Sequence, residues 1–564
     1  MQRKLRSNLD EGSVPWSGRR AQWRALGLTD EDMQKPKIAI VNSSSELSSC
    51  FSHLDGLADE LKVAIRAAGG VPFEIRTAAP SDFITSAGRR GAYILPTRDL
   101  IAADIEVQVE GALLDGMVCL ASCDKTTPGQ LMAAGRLNVP TIVVICGYQK
   151  AGSYRGQHTD IEDVFLKTGY LTSGAATIEE IKGMADVAIQ SPGVCQGMGT
   201  ANSMHVVCEA LGMTLPGSAP VAAGSPKMHA HLRAAGARIV QMVWQDLKPR
   251  DIMTAGAVRN AVQMVLAVSG SINCVKHLQA IAIEAEAGVD VYQEFADFAE
   301  RVPLLAAVKP NGDAHIEDFE AAGGARGILK RLERQLDLDA RSVSGQTLRE
   351  ILAATTVADE RTIATLDKPL STRPAIVIVR GSLLPGGGIV RQGGTGERML
   401  EFRGKANIFH SRDEALAGIK AGKVQPGDVV VLRGLGVIGG PGMAMTSAVI
   451  FALDGAGLLD HVAAITEGQL SGLVNNGLVV GEASPEAAAG GPLAYLENGD
   501  TIAIDVRRKT VDLEVPEAVL VERRKTARVY GAQDQRGWLG VYQRTVAPVH
   551  EGAVLTGREA TKDS

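Results

Sequence analysis

KIAIVNSSSELSSCFSHLDGLADELKVAIRAAGG (37–70) opens on a strand-length apolar run that ends in polar turn residues. It then gives way to a helical stretch, LDGLADELKVAIRAAGG (54–70), with apolar residues three and four apart and Gly-Gly as its stop. The rhythm returns in DGMVCLAS (115–122), in the helical QLMAAGRL (130–137) and in TIVVICG (141–147). Strand, helix and strand in that order predict a parallel sheet covered by helices, with ligands held beyond the carboxyl ends of the strands. Cys50 and Cys123 both stand just past such ends.

Further along, residues 225–360 read mostly as helix, most clearly in the amphipathic HLRAAGARIVQMVWQDL (231–247). ADERTIATLDKPLSTRP (358–374) reads as a connector. Beyond it AIVIVRGSLLPGGGIV (375–390), PGDVVVLRG (426–434), GDTIAIDV (499–506) and KTVDLEV (509–515) are short β-rich runs parted by Gly, Pro and Asp. The expected fold class is therefore α/β. An N-terminal parallel-sheet α/β domain spans 1–365, and a C-terminal β-rich, barrel-like domain spans 366–564. The glycine run LLPGGGIV (383–390) reads as a hairpin turn rather than a phosphate cradle. GMGTAN (197–202) lacks the third glycine of a dinucleotide fingerprint.

Composition narrows the function classes. Hydrophobic residues are 45% and charged residues 22% of the 564, as in soluble globular proteins. A formal charge of −6 and only 4% aromatics give no case for nucleic acid or an anionic membrane. MQRKLRSNLDEGSVPW (1–16) has charge but no apolar segment behind it, unlike a secretory signal, and TIVVIC (141–146) is too short to cross a membrane. The expected compartment is the cytoplasm, where the seven cysteines stay reduced and free to bind metal.

Three cysteines lie in polar loops: Cys50 in NSSSELSSCFSHL, Cys123 in ASCDKTTPG and Cys195 in GVCQGMGTANSM. At roughly 70 residues apart they are too widely spaced for a zinc ribbon or finger. They read either as small buried hydrophobes or as thiolate ligands of an iron–sulfur cluster. Three ligands instead of four would leave one iron open to a substrate oxygen, making the cluster a Lewis acid. Cys119, Cys146, Cys208 and Cys274 lie in apolar or helical surroundings and read as core residues.

NSSSELSSCFSHL, CDKTTPGQLMAAGRLNVP, GVCQGMGTANSM, SGSINCVKHL, GGPGM, TEGQLSG and GEASPEAAAGGPLA occur in this order along the chain. Together they resemble the dihydroxy-acid dehydratase / phosphogluconate dehydratase family, from RALGLTDED (24–32) to GDTIAIDV (499–506). The resemblance implies an iron–sulfur hydro-lyase that turns a 2,3-dihydroxy carboxylate into a 2-keto acid. It implies Cys50, Cys123 and Cys195 as ligands of the cluster, 2Fe–2S in preference to 4Fe–4S. It also implies Asp82, Asp124 and a carbamylated Lys125 as magnesium ligands, Ser471 as the catalytic base, and a homodimer or homotetramer.

Several departures fall where the chemistry belongs. The family's PGMPEM reads PGMAMT here, so Met445, a poor partner for magnesium, stands at the position of a glutamate ligand. DGI-x-x-GHEGM reads DFITSAGRRG, which puts Arg89 in place of an acid, and the residues after TEGQLSG are LVNNG. Arg89 and Thr126 are therefore candidate substrate contacts, Arg89 through an extra carboxylate or phosphate. Alternatively, water or another acid completes the magnesium shell, or the site is impaired and the chain is a binding relative. RALGLTDED, AGGVPFE and LPTRDLIAADIE sit nearer the branched-chain dihydroxy-acid enzymes, which makes a 2,3-dihydroxy-3-methyl acid the leading substrate class and an aldonate such as a pentonate the alternative.

Overall fold

The computed structural model describes residues 4–394, 396–528, 530–531 and 535–555. Strands β1 (Lys37–Asn42), β2 (Val71–Arg76), β3 (Gly116–Ala121) and β4 (Thr141–Ile145) form a wholly parallel sheet in the order β2-β1-β3-β4. Every residue of β1, β3 and β4 is buried, so these strands read as continuous apolar runs and not as alternating ones. The helix Leu54–Ala67 lays Leu54, Leu57, Leu61 and Ile65 inward and packs against the helix Pro226–Gln245. It stops three residues short of the expected end, where Gly69 takes a φ of +86°.

From β1 the chain moves outward to β2, and from β3 it moves the other way to β4. The sheet therefore has its topological switch point between β1 and β3, and the loops beyond their carboxyl ends border a crevice. Ser122 Oγ donates to the Cys50 carbonyl at 2.5 Å and ties the two loops together. A small hairpin follows, β5 (Gly152–Tyr154) with β6 (Gln157–Thr159). The helices Ala255–Ala267 and Asn273–Glu284 are buried along almost their whole length.

The second sheet contains β7 (Ile376–Val379), β8 (Gly387–Arg391), β9 (Glu401–Phe409), β10 (Asp428–Leu432), β11 (Ala463–Thr466), β12 (Leu478–Ser484), β13 (Thr501–Asp505) and β14 (Thr510–Leu513). Its order is β14-β13-β9-β10-β11-β12-β8-β7. The two edges meet where Arg380 N donates to Lys509 O and Val511 N to Arg380 O, each at 2.9 Å, so the sheet is nearly closed into a barrel. Val377, Val379, Val429, Val431, Ile465, Val480, Ile502 and Ile504 belong to one apolar cluster of this sheet. The run 383–390 holds the end of a hairpin connection and most of β8, which pairs antiparallel with β7.

This half carries more helix than its β-rich runs suggest. Strands β9 to β12 pair in parallel, and the helices Arg412–Lys420 and Ser447–Gly455 connect them. The second helix, SAVIFALDG, is apolar on most sides because it is buried, so it lacks the one-faced pattern that marks a surface helix. No helix among the described residues is long and apolar enough to cross a membrane.

Two buried cations join the halves. Arg98 Nη2 donates to the carbonyls of Gly552 and Ala553 at 2.9 and 2.7 Å. Lys276, on the helix Asn273–Glu284, pairs with Glu482 of β12, and both side chains are fully buried. Removing one member of such a pair strands the other in a medium of low dielectric. Glu482→Ala is expected to destabilise the protein by about 3–5 kcal/mol in denaturant unfolding, and adding Lys276→Met to it to recover most of that loss.

Candidate active site

The turn Cys123–Thr126 is the anchor of the site. Thr126 Oγ1 accepts from Ser122 N at 3.2 Å and donates to Cys123 O at 2.9 Å, which locks the turn at the head of the helix Thr126–Leu137. Its neighbours Cys123 and Asp124 thereby face the crevice, and Lys125 is buried with 0% exposure. The Lys125 amine lies 3.4 Å from Asp82 and 3.9 Å from Asp124. Asp82 opens the short helix Asp82–Thr85, and its Oδ1 is buried without a hydrogen-bond partner among the described residues.

Cys50, Asp82, Cys123, Asp124, Cys195 and Ser471 line one cavity of about 50 Å³. Phe83 and Phe165 form its apolar wall, edge to face with centroids 5.4 Å apart, together with Met445 and Leu473. The three loop cysteines, each from a different part of the chain, thus share one chamber. Cys119, Cys146, Cys208 and Cys274 are fully buried elsewhere in the core.

Ser471 comes from the second sheet, in the loop between β11 and β12. Its N–H donates to Ser447 Oγ at 2.6 Å, and its own Oγ accepts from Leu473 N at 3.2 Å. On one side the Leu470 carbonyl accepts from Asn273 Nδ2 at 2.9 Å, and on the other the Gly472 carbonyl accepts from Arg391 Nη1. Gly472 packs so closely on the start of the helix Thr200–Ala210 that a Cβ there would lie 2.8 Å from Gly199 Cα. The serine therefore sits beside a helix N-terminus, whose exposed N–H groups favour negative charge.

The electrostatics are those of crowded acids. A hydrogen bond with Cys123 pulls the Cys50 thiol down to about 7, and the same contact, reinforced by burial, drives Cys123 up. Burial, then the Glu162 and Asp124 carboxylates, raises Cys195. Burial and the charge of Asp82 raise Asp124. Acid-forming groups gathered out of water favour either protonation or a bound cation. Soft thiolates beside hard carboxylates are the donor set expected for iron–sulfur and magnesium respectively, so the residues present fit both groups.

Two residues marked as candidate substrate contacts lie outside this cavity. The Thr126 hydroxyl is consumed in its own turn and is fully buried. Arg89 lines a separate cavity of about 720 Å³ with His410, Arg433, Arg528 and Tyr530, and donates to Gln535 Oε1 at 2.7 Å. Met445 stands near the partition, since a Cβ on Gly91 would lie 3.1 Å from the Met445 Cβ while Ala444 lines the second cavity. Glu162, Arg391, Asn273 and the two phenylalanines went unmarked in the sequence. Burial distinguishes Glu162, Arg391 and Asn273, and a place on the cavity wall distinguishes the phenylalanines, and no local pattern reports either.

Comparison with protein families agrees with this arrangement. Residues 35–351 match the family model described as dihydroxy-acid/6-phosphogluconate dehydratase N-terminal, and residues 361–553 match its C-terminal counterpart. The first match holds Cys50, Asp82, Cys123 and Cys195, and the second holds Met445 and Ser471. With most of its length matched and both walls of the cavity inside the matches, the chain belongs to the dihydroxy-acid/6-phosphogluconate dehydratase family of hydro-lyases.

Proposed function

We propose that the protein dehydrates a 2,3-dihydroxy carboxylate to a 2-keto acid. Cys50, Cys123 and Cys195 hold an iron–sulfur cluster, 2Fe–2S in preference to 4Fe–4S, while Asp82, Asp124 and a carbamylated Lys125 hold magnesium. The observation that supports this is the meeting of three thiols, two aspartates and Ser471 around one cavity, with Lys125 against both aspartates. When bound, the cluster supplies a Lewis acid for the leaving 3-hydroxyl, and magnesium a hard one for the carboxylate and 2-hydroxyl.

The chain's own residues supply the rest. The Lys125 ammonium gives up one proton, and carbon dioxide adds to the neutral amine with release of a second, turning a cation between two aspartates into a third carboxylate. Ser471 removes the C2 proton, supported in its anionic form by the Leu473 N–H and the adjoining helix N-terminus. The electron pair of the C2–H bond forms the C2–C3 double bond, and the 3-hydroxyl departs, taking the proton held by Ser471 to leave as water. The resulting enol gives up its 2-hydroxyl proton, takes one at C3 and becomes the ketone. Phe83 and Phe165 exclude water and give an apolar side chain a surface to rest on.

That wall supports a 2,3-dihydroxy-3-methyl acid as substrate. The aldonate alternative draws on Ser86, Glu162 and Thr200, polar side chains of the same cavity that suit extra hydroxyls. Keto-acid formation from a panel of both substrate types is expected with the branched acids. Turnover of pentonates alone would reassign the substrate, and no turnover by cluster-loaded protein would end the dehydratase reading. Ser471→Ala is expected to lower the rate at least 10²–10⁴-fold while leaving visible cluster absorbance intact. Cys195→Ser is expected to lose both.

A further inference from the structure

Glu162 lies in the second position of the helix Ile161–Gly169, among three acids at its start. Asp160 caps that helix, accepting from Glu162 N at 2.8 Å and Asp163 N at 3.1 Å. Lys309 pairs with Asp160 at 3.2 Å and with Asp163 at 2.6 Å, so these two acids have structural employment. Glu162 points the other way, into the catalytic cavity, with 1% exposure. Its Oε1 accepts from Gly197 N at 3.1 Å, and its Oε2 is buried without a hydrogen-bond partner among the described residues.

The protein makes room for this carboxylate. A Cβ on Gly197 would lie 1.9 Å from Oε2, so the backbone two residues after Cys195 closes to a distance that only glycine permits. A carboxylate and a thiolate side by side out of water repel, and they are at rest together only when one holds a proton or a cation lies between them. Three thiolates also leave one of the usual four protein positions on an iron–sulfur cluster without a protein donor.

We infer that Glu162 is the fourth protein ligand of the iron–sulfur cluster in the substrate-free enzyme, an oxygen donor on the side served by Cys195. The inference rests on the cluster reading above. Its Oε2 lies ready for iron, while Oε1 stays fixed by Gly197 and sets the orientation of the carboxylate. Substrate then competes with Glu162 for its place at the cluster.

The test compares wild type, Glu162→Gln and Glu162→Ala after anaerobic reconstitution with iron and sulfide, with far-UV circular dichroism as the check on folding. The readouts are visible absorption, the electron paramagnetic resonance of the reduced cluster and iron retention against a chelator. Both variants are expected to shift the absorption and the g-values and to hold iron about 10–100-fold more weakly. Acetate added to Glu162→Ala is expected to restore the wild-type spectrum. Variant spectra identical to wild type would overturn the inference and leave the cluster reading standing. So would cluster loss from folded Glu162→Ala that acetate does not reverse. A wild-type protein that takes up no cluster would overturn both.

Discussion

Cys50, Cys123, Cys195, Asp82, Asp124 and Glu162 surround one small chamber, and the mutual repulsion of their charged forms is the constraint on everything nearby. In water such a group would spread out. Here it cannot, because each acid is held by backbone that is itself fixed. The Cys123 turn is closed by Thr126, the Cys50 loop is tied to Ser122, and Glu162 is held by the Gly197 N–H. The remaining responses are to keep protons or to take up cations, and the raised Cys123, Cys195 and Asp124 are the first of these. A fold that pins its acids so firmly has given up stability in exchange for a site poised to hold either protons or cations.

Both halves of the chain reach the chamber by the same structural logic. Cys50 and Cys123 follow the carboxyl ends of parallel β1 and β3, while Met445 and Ser471 follow those of parallel β10 and β11. Such ends collect loops free of ladder hydrogen bonds and therefore free to carry function. Two loop sets that face each other need clamps across the seam. Asn273 from the helical layer holds the Leu470 carbonyl, and Arg391 from β8 holds both the Gly472 and Ser269 carbonyls. Ser471 is thus positioned by residues on both sides, and its geometry depends on the docking of the two halves.

The fold class was legible because buried parallel strands leave continuous apolar runs such as KIAIVN and TIVVI, and the Gly- and Pro-bounded runs after 375 announce a sheet of another kind. The helix Ser447–Gly455 was hidden by its own burial, since an apolar surface on most sides has no period to read. Among the cavity residues, cysteines in polar loops attract notice as residue types. Glu162 does not, because DIED at a helix start is also what a solvated, dipole-compensating acidic turn looks like. Its inward direction is set by Asp160 and Asp163 pairing with Lys309, some 150 residues away, a contact that local sequence does not encode. Arg89 shows the converse. Its place at the position of a family acid suggested a site shared with Asp82, but Arg89, itself left-handed at a φ of +44°, lines the adjoining cavity.

Met445 is best understood through its neighbours. Its sulfur accepts from Ser447 Oγ at 3.5 Å, and that same Oγ accepts from the Ser471 N–H. On the proposed reading of Ser471 as the base, an unpaired carboxylate there would set an anion close to its backbone and oppose formation of a serine alkoxide. A thioether is neutral and fills the partition between the two cavities without that cost. On the proposed reading, the chamber keeps an oxygen donor by placing it on a different element: Glu162 enters from the opposite wall, next to Cys195, where negative charge faces iron and not the serine. The position of the acid, more than its presence, then decides which centre it serves.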